Sequence, residues 1–345
     1  MPRCGEGTDV SLGVGAPGLY DARMPPGLPL RSLASLLVAC TSCATAVTSS
    51  PAASAAASAG AGSAASPAAS ARAPAFSLLG TPELVLPGVV STAASTEIRL
   101  AVSPDGARLL WGAIGQPGAP RGWEILESRR TAAGWSTPAP APFDSAANDF
   151  DPSFAPDGSG AYFFSNRPGG LGGDDLWFTP LGKDGAWGEP VNLGPGVNTK
   201  GDEWAPSVSP DGTQLLFCSD ARGGPGRQDL FVARRGADGA WSDARALAVN
   251  GPDDDFDATF LPDGSLVFSS GRTDGAVALY WAPANAPGPS ARVRLGPEVN
   301  GEGAEPFTNG PSIAATEPGW LYFSARRSGG EGRMDIWRVP YRVER

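Results

Sequence analysis

Acidic residues recur at the heads of short apolar segments: Glu97, Asp149 and Asp151, Asp202 and Glu203, Asp255 and Asp257, and Glu305. Carboxylates drawn from several segments into one ring have two chemistries open to them. They can hold a hard cation such as Ca²⁺, which takes many oxygen ligands. Two or three of them can instead flank a glycosidic bond as acid and base. Trp204 follows Glu203, and Phe256 lies between Asp255 and Asp257, so an exposed aromatic face beside the acids would stack on a sugar. The bland alternative is that these carboxylates accept backbone N–H groups and tie neighbouring segments together. A catalytic constellation is unique, whereas a feature repeated in every segment is architectural. The expectation is therefore a chain that is not an enzyme.

Composition narrows the chemistry further. The chain has no histidine, which excludes a Ser-His-Asp or Cys-His site and any His-ligated metal. Lys183 and Lys200 are its only lysines, leaving little for Schiff-base or P-loop chemistry. Cys4, Cys40, Cys43 and Cys218 show no metal-ligand spacing. Cys218 ends the apolar run Leu215-Leu-Phe-Cys and is expected to be a buried thiol. A net charge of −10 repels phosphate backbones, so no nucleic-acid partner is expected.

The elements that position these residues come from a repeat. Pro-Asp-Gly occurs at 104–106, 156–158, 210–212 and 262–264, with a degenerate Glu317-Pro318-Gly319 closing the series. Before each turn runs an acidic, apolar segment, as in Asp149-Phe-Asp-Pro-Ser-Phe. After it comes a segment ending in Ser, as in Ala161-Tyr-Phe-Phe-Ser and Leu321-Tyr-Phe-Ser. A Gly-rich loop follows, then Asp175-Leu-Trp, Asp229-Leu-Phe or Asp335-Ile-Trp, and in two units an Asp-Gly turn before Trp187 or Trp241. Pro, Asp and Gly suit positions i+1 to i+3 of a type I turn, and Asp-Gly before an aromatic signals a hairpin. Four short strands per unit, five units over, predict a five-bladed β-propeller of four-stranded antiparallel blades. Arg167, Arg222, Arg272 and Arg326 or Arg327 follow the second strands, where pairing with Asp175, Asp229 and Asp335 would clamp each hairpin.

The Ser-Pro-Asp-Gly turn, the aromatic-Ser strand and the Asp-Ile/Leu-Trp strand together resemble WD40-like β-propeller repeats of the TolB type, over about residues 80–345. The resemblance implies a periplasmic interaction module. Many relatives close with six or more blades, whereas five units are present here. The fifth stops at Arg345 after its third strand. Its fourth strand can come from Thr81-Pro-Glu-Leu-Val-Leu-Pro-Gly88, which is similar to Glu189-Pro-Val-Asn-Leu-Gly-Pro-Gly196, closing the ring by N-terminal strand exchange.

Residues 1–43 carry Arg31 followed by the short apolar run Ser-Leu-Ala-Ser-Leu-Leu-Val-Ala-Cys40, with Met24 as a second plausible start. The run is too short to span a membrane and reads as a signal peptide. Leu37-Val-Ala-Cys40 resembles a bacterial lipobox, which implies lipidation at Cys40. Residues 44–77, rich in Ala, Ser and Pro, read as a disordered tether, and residues 78–345 as the propeller. The expectation from sequence is thus an exported monomer, periplasmic or at the cell surface, touching the membrane only through a lipid anchor. It would bind a protein or glycan of the cell envelope, with Ca²⁺ as the one cofactor the acidic ring admits. The rival reading is a glycoside-active enzyme using the same carboxylates.

Overall fold

The computed structural model describes residues 74–116, 122–271, 275–301 and 307–344. The signal-peptide and Cys40 expectations, the tether as far as residue 73, and Glu305 and Arg272 lie outside the described residues. The expected tether's last residues, 74–77, are described, and 75–77 belong to the strand Ala75–Leu78 rather than to disordered chain.

The described residues form five antiparallel sheets arranged as the five blades of a β-propeller. Their innermost strands are Thr96–Val102, Asp149–Phe154, Glu203–Val208, Asp254–Phe260 and Thr308–Ile313. Each of these packs against the innermost strand of the next blade, and the last against the first. Each runs into its Pro-Asp-Gly turn as the sequence predicts. In the first blade Gly106 N–H donates to the Ser103 carbonyl at 2.8 Å, with Gly106 at φ +69°. The Asp105 carboxylate accepts the Ala107 N–H at 2.9 Å. That geometry needs proline's fixed φ first and glycine's left-handed freedom last.

The ring closes through both ends of the described chain. The fifth blade has Thr308–Ile313, Trp320–Ala325 and Asp335–Glu344 as its own strands. Glu83–Leu84 pairs with the last of these at Arg338 and Trp337, as strand exchange predicts. A further strand, Ala75–Leu78, pairs with the same strand near its end, from Tyr341 to Glu344. Phe76 there stacks on Tyr341 at 5.4 Å.

The seams between blades follow a second repeat. Asn198, Asn250 and Asn300 each hold both backbone groups of one residue in the preceding blade's third strand: Leu176, Leu230 and Leu279. The distances lie between 2.7 and 3.0 Å. One side-chain amide thus accepts a buried N–H and adds a second donor to a C=O that already takes the backbone N–H of Leu193, Leu247 or Leu295. At the closing seam the Ser91 hydroxyl does the same for Ile336.

The expected Arg–Asp hairpin clamps do not form. Arg167 pairs with Asp149 at 2.7 Å instead. Arg167, Arg222 and Arg327 donate to the Phe143, Val197 and Val299 carbonyls in the loops before their own blades. Each guanidinium also lies over two aromatic rings, Arg167 at 4.8 Å from Phe163 and 5.5 Å from Trp177. Asp175, Asp229 and Asp335 turn away and accept N–H groups of the Gly-rich loops, at Leu171, Gly226 and Gly332. A carboxylate opening a strand finds those loop N–H groups first, because they are only three or four residues away.

Candidate functional site

The strand-start acids divide into two sets, and the division follows one backbone feature. Every innermost strand carries a bulge, and at each bulge one residue has positive φ: Arg99 (+55°), Asp151 (+51°), Ala205 (+53°), Asp257 (+46°) and Gly310 (+57°). Four of the five are non-glycine, at a cost of roughly 1–2 kcal/mol each. Glycine is needed at 310, where an added Cβ would lie 3.1 Å from the Arg99 nitrogen.

Two positions before the bulge sit the architectural acids. Asp149 accepts the Ser145 N–H and hydroxyl at 2.6 and 2.7 Å. Glu203 accepts the Thr199 N–H and hydroxyl, and the Ser219 hydroxyl at 2.9 Å. Asp255 accepts the Gly251 N–H and pairs with Arg292 at 2.8 Å. Glu97 accepts the Thr92 and Ser95 hydroxyls. Each carboxylate pins the loop leading into its own strand. Burial pushes Glu97 up to about 7 and Asp255 up to about 6. Asp202 caps Asp174 N–H at 2.7 Å. Trp204 is buried, its indole N–H donating to Asp174, and Phe256 is buried too, so neither presents a stacking face to a sugar.

The bulge positions themselves form a different layer, unlike from blade to blade. Asp151 is fully buried, with no hydrogen-bond partner for either oxygen. Its carboxyl is held well above the ordinary value by burial and then by the charge of Asp257, against the pull of Arg99. Asp257 is equally buried and accepts the Gly310 N–H at 3.2 Å. Arg99, 2% exposed, donates through Nη2 to the Pro206 and Ala258 carbonyls at 3.1 and 3.3 Å. Its Nη1 is buried with no hydrogen-bond partner. Neither amide atom of Asn309 has a partner either. The Cys218 thiol is buried near this layer and raised by burial and by the charge of Asp257. Among the described residues no group of three or more Asp, Glu, Cys or His is placed to hold a metal ion.

A cavity of about 390 Å³ opens at the other end of these strands, where they run into the Pro-Asp-Gly turns. Its lining is built in rings, one residue per blade. Arg99 lies at its floor, followed outward by Ala101, Ser153, Ser207, Thr259 and Ser312. Next come the apolar side chains of Val102, Phe154, Val208, Phe260 and Ile313, and then the turn prolines. Sequence reasoning looked for the site at the strand starts and missed this funnel and its arginine. The signal was available at position 99, where blade alignment sets an arginine against Asp, Ala, Asp and Gly.

No family model matches this chain, and no curated protein does. Similar solved structures include TolB from Acinetobacter baumannii, at 16% identity over 71% of this chain with a TM-score of 0.46. That match spans 54% of the Acinetobacter protein. A gluconolactonase from Xanthomonas campestris is 14% identical over 74% of this chain and 89% of its own, with a TM-score of 0.44. A thermostable family-43 glycoside hydrolase is 10% identical over 74% and 92%, with a TM-score of 0.46. The expectation that the chain is not an enzyme does not stand, because enzymes appear among these propellers beside TolB. Its premise fails as well: the channel layer of Arg99, Asp151 and Asp257 is unique rather than repeated in each blade.

Proposed function

We propose that this propeller is a binding module of the cell envelope that takes a narrow apolar segment of a protein partner into the funnel at its Pro-Asp-Gly end. The observation that carries this reading is the closed ring of Val102, Phe154, Val208, Phe260 and Ile313 around a cavity of ligand-sized volume. Apolar walls gain from desolvating an apolar segment and offer little to sugar hydroxyls. Burial of Trp204 and Phe256 removes the stacking faces that favoured a glycan. The envelope location rests on Arg31 and the Leu37-Val-Ala-Cys40 segment.

The test is selection of peptides from a random displayed library on the full-length protein, followed by affinity measurement on Val208→Trp, which plugs the funnel. Selected peptides should be rich in apolar residues and lose at least about tenfold in affinity on the plugged variant. Binding untouched by the plug, or no peptide selected, overturns the reading.

A glycoside-active enzyme has one observation in its favour, the charge repulsion between Asp151 and Asp257 from two different blades. One carboxyl raised above its ordinary value by burial beside a second is the asymmetry that acid–base chemistry uses. Both side chains are 0% exposed, so substrate would have to open the channel to reach them. Hydrolysis of aryl glycosides that disappears in Asp151→Asn and Asp257→Asn would establish this reading, and its absence would remove it.

A further inference from the structure

We propose that the floor of the funnel is a carboxylate-binding site, in which Arg99 Nη1 and the hydroxyls of Ser207 and Thr259 take the carboxylate of a ligand whose apolar body fills the ring above. This rests on the funnel being the binding site and names the chemical class of its occupant.

Arg99 is held in place at the floor. Its Nη2 is fixed by the Pro206 and Ala258 carbonyls, which stops the guanidinium rotating away. The residues next in sequence are Ser207 and Thr259, whose hydroxyl oxygens lie 3.5 Å apart across the seam of the third and fourth blades. The next again are Val208 and Phe260, which form the apolar wall on that side. Cation, hydroxyls and apolar surface therefore follow one another outward along two adjacent strands.

The unpartnered Nη1 is the second observation; it is enclosed, so a carboxylate meets it as the side chains of the floor part. A buried donor on a charged group without an acceptor costs more than a neutral one, and a carboxylate meets a guanidinium with two parallel hydrogen bonds. The lining carries one acidic group, Glu317 at the rim, and that carboxylate is engaged by Arg338 at 2.6 Å. In the bulge layer that holds Arg99 itself, burial favours the neutral form of Asp151, and the Asp257 carboxylate accepts the Gly310 N–H at 3.2 Å. A fully hydrophilic anion such as phosphate would leave its outer oxygens facing Val208 and Phe260, so the walls select a monoanion on an apolar body. Two sources carry that chemistry: the C-terminus of a polypeptide and a free aliphatic acid.

Titration calorimetry on the full-length protein separates them. Hexanoate is compared with 1-hexanol, and an apolar peptide ending in a free carboxylate with its C-terminal amide. The acid of at least one pair should bind about tenfold or more tighter than its uncharged partner. Arg99→Met should erase that preference, and Thr259→Val, which keeps shape and loses the hydroxyl, should reduce it. Preference within the peptide pair identifies a chain end as the ligand, and preference confined to hexanoate identifies a small acid. Equal binding within both pairs overturns the carboxylate site while leaving the funnel as a binding site. Absence of all binding overturns both.

Discussion

Arg99 in the first blade reaches across the channel to the Pro206 carbonyl in the third, with an Nη2–O distance of 3.1 Å. The same nitrogen meets the Ala258 carbonyl of the fourth blade, so one side chain joins three blades at the centre of the ring. Arg99→Met keeps the length and removes both bonds, leaving two buried carbonyls without this donor. The loss should be about 2 kcal/mol, read as a lower urea midpoint with an unchanged slope. A variant as stable as the parent would show that the buried charge costs as much as its bonds return.

Glu97 gives a pH test whose sign is fixed. Its carboxyl rises from the ordinary 4.5 to about 7 in the folded chain, chiefly through burial, and its second oxygen has no partner. Below pH 4.5 both folded and unfolded forms hold the proton. Between 4.5 and 7 the unfolded chain releases it first, so this group lowers stability as pH rises through that window, and the deficit is constant above it. Glu97→Gln never ionises. It should match the parent at pH 4 and exceed it at pH 8 by on the order of 2–3 kcal/mol, measured by urea unfolding at both values. A difference of equal size at the two pH values would place its origin elsewhere.

Asn250 tests the seam repeat. Replacing it with alanine strips the buried Leu230 N–H of its partner and leaves the Leu230 C=O with the Leu247 N–H alone. The expected cost is about 1–3 kcal/mol, the penalty of one orphaned buried N–H, visible as a fall in melting temperature. Asn250→Asp retains the acceptor and loses the donor, and should fall between the two. If alanine and aspartate behave alike, the amide acts through something other than those two bonds.

Cys218 is fully enclosed and its thiol is shifted upward, which suppresses the reactive thiolate. Iodoacetamide applied to the native protein at pH 8 should leave Cys218 unmodified in a peptide map, and labelling should follow unfolding in urea. Rapid native labelling would mean that the channel opens on the timescale of the reaction.

The five blades and their closure were legible because turn chemistry is local. Pro-Asp-Gly dictates its own conformation, and its recurrence gives strand spacing without knowledge of tertiary contacts. The similarity of Thr81–Gly88 to Glu189–Gly196 identified the exchanged segment for the same reason. The site was less legible because its residues occupy a position defined by the bulge rather than by composition. Asp149 and Asp151 look equivalent in sequence, two apart on one strand, yet the positive φ at 151 sends them to different duties. Arg99 carries no signal of its own until the five bulges are superimposed. The Arg–Asp clamps failed because alternation within a hairpin ignores the loop N–H groups that capture Asp175, Asp229 and Asp335.

The pairing of Ala75–Leu78 and Glu83–Leu84 with Asp335–Glu344 also governs when the molecule can become whole. The partners are separated by some 250 positions, as in the Ser91–Ile336 bond at 245, so closure joins the first and last segments of the ring and cannot precede either. Until then, four blades have their complete sets of strands and the fifth presents an open edge. Non-local pairing of this kind is slow. A chain emerging from synthesis therefore spends its whole production time as an unlocked arc, and becomes a ring only once its final strand is available.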